Sequence, residues 1–232
     1  MGMKLSIIIP AYNEEETVGE VLKKILNVNL TGLHLEKEII VVDDGSTDKT
    51  AQRVSHFSDV QLLQHKCNQG KTAAIRTGLA SATGDILLIQ DADLEYDPED
   101  YPKLVHPIVT KRAEVVYGSR FMGRGAPMNM SLPFFIANRL GTLLTNFLYG
   151  SYLTDEATCY KVFTRKAISD VTFQSDGFGF CPEVTIKLLK KGIAIHEVPV
   201  HYTARKRGKK FRPLDALTIL RILLVNRLRF FG

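Results

Sequence analysis

The chain has little of what staples small or secreted proteins together. Its three cysteines, Cys67, Cys159 and Cys181, are scattered and form no Cys-x-x-Cys pair. This excludes a disulfide framework and structural zinc, and it points to a reducing, cytoplasmic compartment. No apolar run reaches the ~18 residues that mark a membrane span. Arg139 and Gly141 interrupt the stretch from Pro133 to Tyr149, and Arg221 and Arg227 interrupt that from Leu214 to Phe231. Met1-Gly2-Met3-Lys4 leads straight into strand-like residues without an h-region, so no signal peptide is expected. There is no internal repeat and no low-complexity linker. The 232 residues read as one domain over 1–212 and a basic amphipathic helix over 213–232.

Charge is present but uneven. The whole chain carries +5. From Arg205 to Gly232, nine Lys and Arg residues stand against a single acid, Asp215, so the remainder is acidic. A local basic block implies an anionic partner near the C-terminus.

Strand and helix signals alternate through the first half. Leu5 to Ile9 is an apolar strand that Pro10 should end. Glu14 to Leu26 has helical spacing, with Val18, Val21, Leu22, Ile25 and Leu26 on one side. Glu38 to Val42 is a second strand, after which Ser46 or Thr47 can cap a helix reaching about Phe57. Val60 to Gln64, Ile86 to Gln90 and Glu114 to Tyr117 are further strands, and Lys71 to Ala82 is a helix. Pro133 to Tyr149, Cys181 to Lys191 and Leu214 to Phe231 read as helices, Ile193 to Val198 as a strand, and Lys206 to Arg212 as a basic loop. This order predicts an α/β fold with a mostly parallel sheet covered by helices. Ligands of such sheets bind beyond the strands' C-terminal ends.

Three polar clusters sit at those ends: Tyr12-Asn13-Glu14, Asp43-Asp44-Gly45-Ser46 and Asp91-Ala92-Asp93. Two carboxylates one residue apart at a buried strand's end are costly unless a cation joins them. Hard divalent cations prefer such oxygens, and magnesium is usually shared between carboxylates and substrate phosphates. Lys71 follows a glycine at a helix start, where an anion is stabilised. Tyr12 can stack on a nucleobase, and Asp44 can accept hydrogen bonds from a base or ribose. Asp43 could cap the following helix instead. Arg120 and Arg205 can grip phosphate bidentately. Asp155 and Glu183 are candidate general bases, or a cap and a partner for a helix dipole. His201 and the cysteines read as structural.

Taken in order, these stretches resemble the family 2 inverting glycosyltransferases, and among them the dolichyl-phosphate mannosyltransferase group. The matching segments are Ile9-Pro10-Ala11-Tyr12-Asn13-Glu14-Glu15, Val42-Asp43-Asp44-Gly45-Ser46-Thr47-Asp48, Asn68-Gln69-Gly70-Lys71, Gln90-Asp91-Ala92-Asp93-Leu94-Glu95 and Gly118-Ser119-Arg120-Phe121. They continue through Thr154-Asp155 and Thr158-Cys159-Tyr160-Lys161 to Glu197-Val198-Pro199-Val200. The resemblance covers roughly residues 4 to 212. It implies the A-type glycosyltransferase fold and transfer of a sugar from a nucleotide sugar, of GDP-mannose or UDP-glucose type, to a polyprenyl phosphate.

It further implies that Pro10, Tyr12, Glu14, Val42, Asp44, Lys71, Asp91, Ala92, Glu95, Arg205 and Lys210 bind the nucleotide sugar. Asp91 and Asp93 would hold Mg2+ or Mn2+, and Asp93, Arg120 and Asp155 would serve catalysis. Glu95 stands where many relatives carry Gln, which leaves its role open. The stretch Met128 to Pro133 lacks the arginine of an Arg-x-x-x-Ser pair common in the mannosyltransferase group. The chain contains no tryptophan, so the Gln-x-x-Arg-Trp motif of processive synthases is missing and transfer of one sugar is expected. Phe134-Phe135 and the cationic C-terminal helix suit a peripheral position on an anionic membrane surface, at its cytoplasmic face. Nucleic acid is not expected as a partner. The rival readings are a soluble hydroxyl acceptor, a non-catalytic nucleotide-sugar-binding module, and a nucleotidyltransferase. The last would want a basic Gly-rich loop, and Pro10 to Glu15 has no Lys or Arg.

Overall fold

The computed structural model describes residues 2–122, 127–175, 177, 179–205 and 213–228, with side chains of the last segment described over 219–227. The strands are β1 (Met3–Ala11), β2 (Leu35–Asp43), β3 (Val60–Gln64), β4 (Ile86–Ile89), β5 (Val115–Ser119), β6 (Lys161–Thr164) and β7 (Ile195–Pro199). They form one sheet in the order β3-β2-β1-β4-β6-β5-β7. All pairings are parallel except those of β6, which runs antiparallel to β4 and β5. The helices are α1 (Val18–Asn27), α2 (Thr50–Val54), α3 (Lys71–Ser81), α4 (Tyr101–Val109), α5 (Leu132–Tyr149), α6 (Arg165–Ile168), α7 (Phe180–Lys190) and α8 (Pro213–Leu228).

The central strands are apolar because both faces are covered. Ile7, Ile8, Ile9, Ile40, Val41, Leu88 and Ile89 are fully buried, the pattern of a parallel sheet under helices. On α1, Val18, Val21, Leu22 and Ile25 fall on one stripe and meet this core. Truncating such a residue to Ala removes about 2–5 kcal/mol.

Several elements differ from the sequence reading. Pro10 does not end β1, which continues to Ala11 in register with Asp43. Ile8 faces β4, since its carbonyl accepts from the Gln90 amide. Pro10, two residues on, faces the same side, beyond the last residue that β4 pairs with β1. Its missing N–H therefore breaks no ladder bond. The helix expected after a cap at Ser46 or Thr47 starts at Thr50, and Asp48, two residues before it, accepts from the Thr50 amide at 2.9 Å and its hydroxyl at 2.5 Å. The sequence reading contained neither β6 nor α4. β6 is four residues long and opens on a buried lysine, and α4 carries Pro102 and Pro107.

The chain runs outward from β1 through β2 to β3, then returns across β1 to β4. The C-terminal ends of β1 and β4 therefore flank the point where strand order reverses, the site of the ligand crevice in open α/β sheets.

Candidate active site

Three loops at that crevice are stitched together by their own side chains. Asn13, after β1, has φ +50°. Its amide donates to Ser46 Oγ at 2.9 Å, and its Oδ1 accepts from the Thr47 amide at 2.9 Å. The Glu14 amide donates to Thr50 Oγ1 at 2.8 Å. Gly45 has φ +71°, and a Cβ there would lie 2.5 Å from the Cys67 backbone. Only glycine lets the loops after β2 and β3 approach so closely.

Asp43 and Asp44 are both buried and both engaged. Asp43 accepts from the Ser46 amide at 3.2 Å, closing a turn rather than capping a helix. Asp44 accepts from the Gln69 and Gly70 amides at 2.9 and 2.8 Å and pairs with His65 Nδ1 at 2.7 Å. It thus shapes the crevice wall ahead of Lys71. Pro10 and Val42 lie side by side in the β1–β2 register. Val42 is fully buried and faces Gly78 of α3, so its side chain belongs to the core and only its backbone reaches pocket level. Tyr12 is half-buried at the mouth.

β4 delivers the carboxylate pair. Gln90 is buried and accepts from the Tyr101 and Tyr160 hydroxyls, both at 2.8 Å, which fixes the strand's end. Asp91 Oδ1 forms an ion pair with Lys71 Nζ, which also reaches Cys159 Sγ at 3.4 Å. Burial works against both charges, yet their attraction prevails. The Lys71 ammonium is held well above the usual lysine range, and the Asp91 carboxyl below the usual carboxylate range. Among the described residues Asp93 meets no cation that closely. Burial, then repulsion from Asp91 and Glu95, pushes it up to about 7, against a smaller pull from Arg205.

Arg205 enters from the far side. It reaches Glu14 Oε1 at 3.1 Å with Nη1 and Asp93 Oδ2 at 3.4 Å with Nη2. Its amide donates to Glu95 Oε1 at 2.7 Å, and the Tyr202 hydroxyl donates to Glu95 Oε2 at 2.8 Å. Glu95 therefore anchors the 202–205 segment with both oxygens. Thr17 Oγ1 donates to Glu14 Oε2 at 2.8 Å or the Ala92 carbonyl at 2.9 Å, tying the β1 and β4 loops together.

Among the described residues no group of three or more His, Cys, Asp or Glu side chains is arranged to hold a metal ion. The site offers Asp93, with Asp91 beside it. That donor set fits a hard cation which keeps phosphate and water in its remaining positions, as Mg2+ and Mn2+ do, and does not fit zinc.

Arg120 and Asp155 lie deeper. Arg120 Nε and Nη2 each meet an Asp155 oxygen at 2.7 Å, and its amide adds a bond to Oδ2 at 3.0 Å. Nη2 also donates to Asn138 Oδ1 at 3.2 Å. The guanidinium lies 5.2 Å from the Tyr202 ring centre. Among the described residues, Nη1 carries no hydrogen bond, so one edge of Arg120 is left for an anion. Asp155 takes three bonds from Arg120 alone and so holds it in place. Glu197 sets Asp155 in turn, accepting from the Thr154 and Asp155 amides at 2.7 and 3.0 Å.

Glu183 is likewise engaged by its neighbours. It accepts from the Gln174 and Ser175 amides, Ser175 Oγ and Lys187 Nζ, and these donors hold it below the usual carboxylate range despite burial. His201 pairs with Asp100 at 3.0 Å. Lys210, with Lys206, Arg207, Lys209 and Arg212, lies outside the described residues. Sequence reasoning missed Thr17, His65, Asn138, Glu197 and Tyr202 as site residues. Only Glu197 lay in a matched motif, and nothing in spacing links the others to their partners.

The model of glycosyl transferase family 2 matches residues 6–172. A dolichol-phosphate mannosyltransferase of Pyrococcus furiosus is 31% identical over 89% of this chain and 58% of its own length. A UDP-N-acetylglucosamine–dolichyl-phosphate N-acetylglucosaminyltransferase of Methanococcus voltae is 30% identical over 84% of this chain and 83% of its own. Among solved structures, glucosyl-3-phosphoglycerate synthase of Mycobacterium tuberculosis with Mn2+, UDP and phosphoglyceric acid superposes with a TM-score of 0.74. It is 23% identical and covers 97% of this chain and 79% of that one. At that identity the likeness speaks for the fold alone.

Proposed function

We propose that this chain, which belongs to glycosyl transferase family 2 and is a glycosyltransferase, moves one sugar from a nucleotide sugar, of GDP-mannose or UDP-glucose type, to a polyprenyl phosphate at a membrane surface. The observation that carries the acceptor is the outer face of α5. Leu132, Ile136, Leu140, Leu143 and Phe147 recur every three or four residues and are 46–84% exposed. They form one apolar stripe roughly 22 Å long. Soluble monomers rarely leave such a patch uncovered. The same helix abuts the site, since Asn138 touches Arg120, Arg139 donates to the Thr154 carbonyl at 3.0 Å, and Phe121 packs edge-on against Phe135. A lipid lying along α5 would bring its phosphate to Arg120.

α8 packs on α5 through the Tyr149 hydroxyl and the Leu223 carbonyl, 2.6 Å apart. It adds exposed Leu220, Leu224 and Val225 beside exposed Arg221, a mixture suited to an anionic interface. Among the described residues no helix is long and apolar enough to cross a membrane. The described cysteines are free thiols, in keeping with a peripheral site on the cytoplasmic face.

The chemistry asks little acid–base work of the protein. An acceptor phosphate oxygen attacks the anomeric carbon from the face opposite the leaving group. A carbon–oxygen bond forms there, and the bond to the diphosphate oxygen breaks with its electron pair going to the nucleoside diphosphate. A phosphate monoester is already ionised at neutral pH, so no base need take a proton. A hydroxyl acceptor would need one, and both candidates, Asp155 and Glu183, are fully paired.

Tyr12 and the Asp44 loop would receive the nucleoside. Asp93, with Asp91 and Lys71 beside it, would hold the diphosphate end with Mg2+ or Mn2+. Such an ion would stabilise the departing diphosphate as a Lewis acid. Arg120 would orient the acceptor phosphate. The test is a donor panel of GDP-mannose, UDP-glucose and UDP-N-acetylglucosamine with a short polyprenyl phosphate and Mn2+, read by product mass. A lipid carrying a single added sugar is expected. Transfer to soluble hydroxyl acceptors alone would overturn the reading.

A further inference from the structure

Asp93 and Asp91 are neutralised in different ways. Asp91 is closed against Lys71 in a direct pair. Among the described residues, the one cation at Asp93 is Arg205, and it stands at 3.4 Å. Charge-assisted N–H···O contacts of full strength measure about 2.7–2.9 Å. The same guanidinium reaches Glu14 at 3.1 Å with its other nitrogen, so it bridges the β1 and β4 loops. Its backbone cannot follow the side chain elsewhere, because the Arg205 amide is held by Glu95 at 2.7 Å and the Thr203 amide by the Glu95 carbonyl at 2.8 Å. Arg205 is thus a cation on a short, fixed tether, with its weaker arm on the carboxylate assigned to the metal.

We propose that Arg205 is a resident counter-ion for the metal position: it pairs with Asp93 in the ligand-free protein, and a divalent cation binds Asp93 by displacing it. This rests on the metal role assigned to Asp93 above. Displacement costs Arg205 one anion. A nucleoside diphosphate arriving with the metal supplies another within reach of the tether, and arginine suits it because its planar fork matches phosphate oxygens. Metal and diphosphate therefore bind cooperatively, and the metal alone binds poorly. The arrangement keeps a buried acidic pair from standing unneutralised between turnovers.

The experiment measures Mn2+ affinity by electron paramagnetic resonance of the free ion. It compares the wild type and Arg205→Ala, with and without UDP or GDP. Without diphosphate, Arg205→Ala should bind Mn2+ ~5- to 20-fold more tightly than the wild type, within the usual range of coupling between sites. With diphosphate the wild type should gain at least ~10-fold, and the variant distinctly less. Equal or weaker Mn2+ binding by the variant without diphosphate overturns the proposal. If the alanine variant melts early, Arg205→Gln keeps the bulk and is read the same way. Lipid product is scored separately. Tighter Mn2+ binding by a variant of a protein that glycosylates no lipid phosphate preserves this inference and defeats the acceptor reading. Lipid product with unchanged Mn2+ affinity does the reverse.

Discussion

Two arginine–aspartate contacts divide the site between them, and they are built to opposite specifications. Arg120 and Asp155 meet through two bonds of 2.7 Å, with side chains 5% and 0% exposed. Arg205 touches Asp93 once, at 3.4 Å, with a quarter of its side chain in solvent. The first pair is surrounded by further ties: Glu197 below, Asn138 beside it, the Tyr202 ring against the guanidinium. The second has alternatives on both sides, Glu14 for the arginine and a metal for the aspartate. A buried, multiply bonded pair fixes a shape, and a half-open, long pair can exchange partners. Charge identity is the same in both. What differs is desolvation and the number of bonds that must break.

The comparison breaks first at Asp93. Asp93→Asn keeps the volume and removes the charge that a metal needs. Sugar transfer should fall by at least ~10³-fold with every donor, about 4 kcal/mol of transition-state stabilisation, while the circular dichroism melt stays cooperative. Activity within tenfold of wild type would remove Asp93 from the metal's coordination.

At the other pair the expected loss is of stability. Asp155→Asn leaves the buried Arg120 charge without its counter-ion and should cost about 3–5 kcal/mol in urea unfolding. Arg205→Ala, at a partly exposed pair, should cost no more than about 1 kcal/mol. If the two variants unfold at the same urea concentration, the distinction between a fixed and an exchangeable pair is lost.

A smaller effect follows from titration. In the metal-free protein burial and its acidic neighbours push Asp93 up to about 7. The unfolded chain ionises near the ordinary aspartate value of about 3.9. A raised folded pKa means a contribution present in full below the unfolded value and lost as pH rises through about 7. Without metal, the melting temperature of the wild type should therefore fall between pH 5 and pH 8 relative to that of Asp93→Asn. Mn2+ binds the ionised carboxylate, so its affinity should rise over the same window. Parallel melting curves for the two proteins across that range would show that Asp93 does not titrate there.

The parallel half of the molecule was far more legible in sequence than the other. β1, β2 and β4 are apolar runs with polar residues waiting at their ends, and the fold places those ends around one crevice. Periodicity carries that information locally. β6 could not be read this way, because Lys161 is buried for a reason invisible in one dimension: its ammonium lies 3.5 Å from the Tyr117 ring and donates to the Glu156 carbonyl at 2.8 Å. Asp155 could not be matched to Arg120 across 35 residues without the turn that Glu197 holds. Pro10 misled because a proline ends a strand only where its N–H was needed. The carboxylates of the site were visible as candidates, Glu197 excepted. Which of them were already committed to a neighbour was not.

The gentlest test concerns α5, where the expected change is in location rather than in stability or chemistry. Leu143 and Phe147 are 62% and 84% exposed, in the half of the helix away from Asn138. Replacing both with Glu removes apolar surface from the stripe and adds negative charge, and exposed substitutions of this kind usually alter stability by no more than about 0.5 kcal/mol. The melting temperature should hold, and turnover of a short, water-dispersed polyprenyl phosphate should change little, because Arg120 and Asp93 are untouched. Flotation with vesicles containing anionic lipid should fall sharply, and with it turnover of a long-chain acceptor embedded in those vesicles. Flotation equal to wild type would mean that α5 does not carry the lipid contact. The rigid Arg120–Asp155 pair would then be aimed at an acceptor reached by some other route.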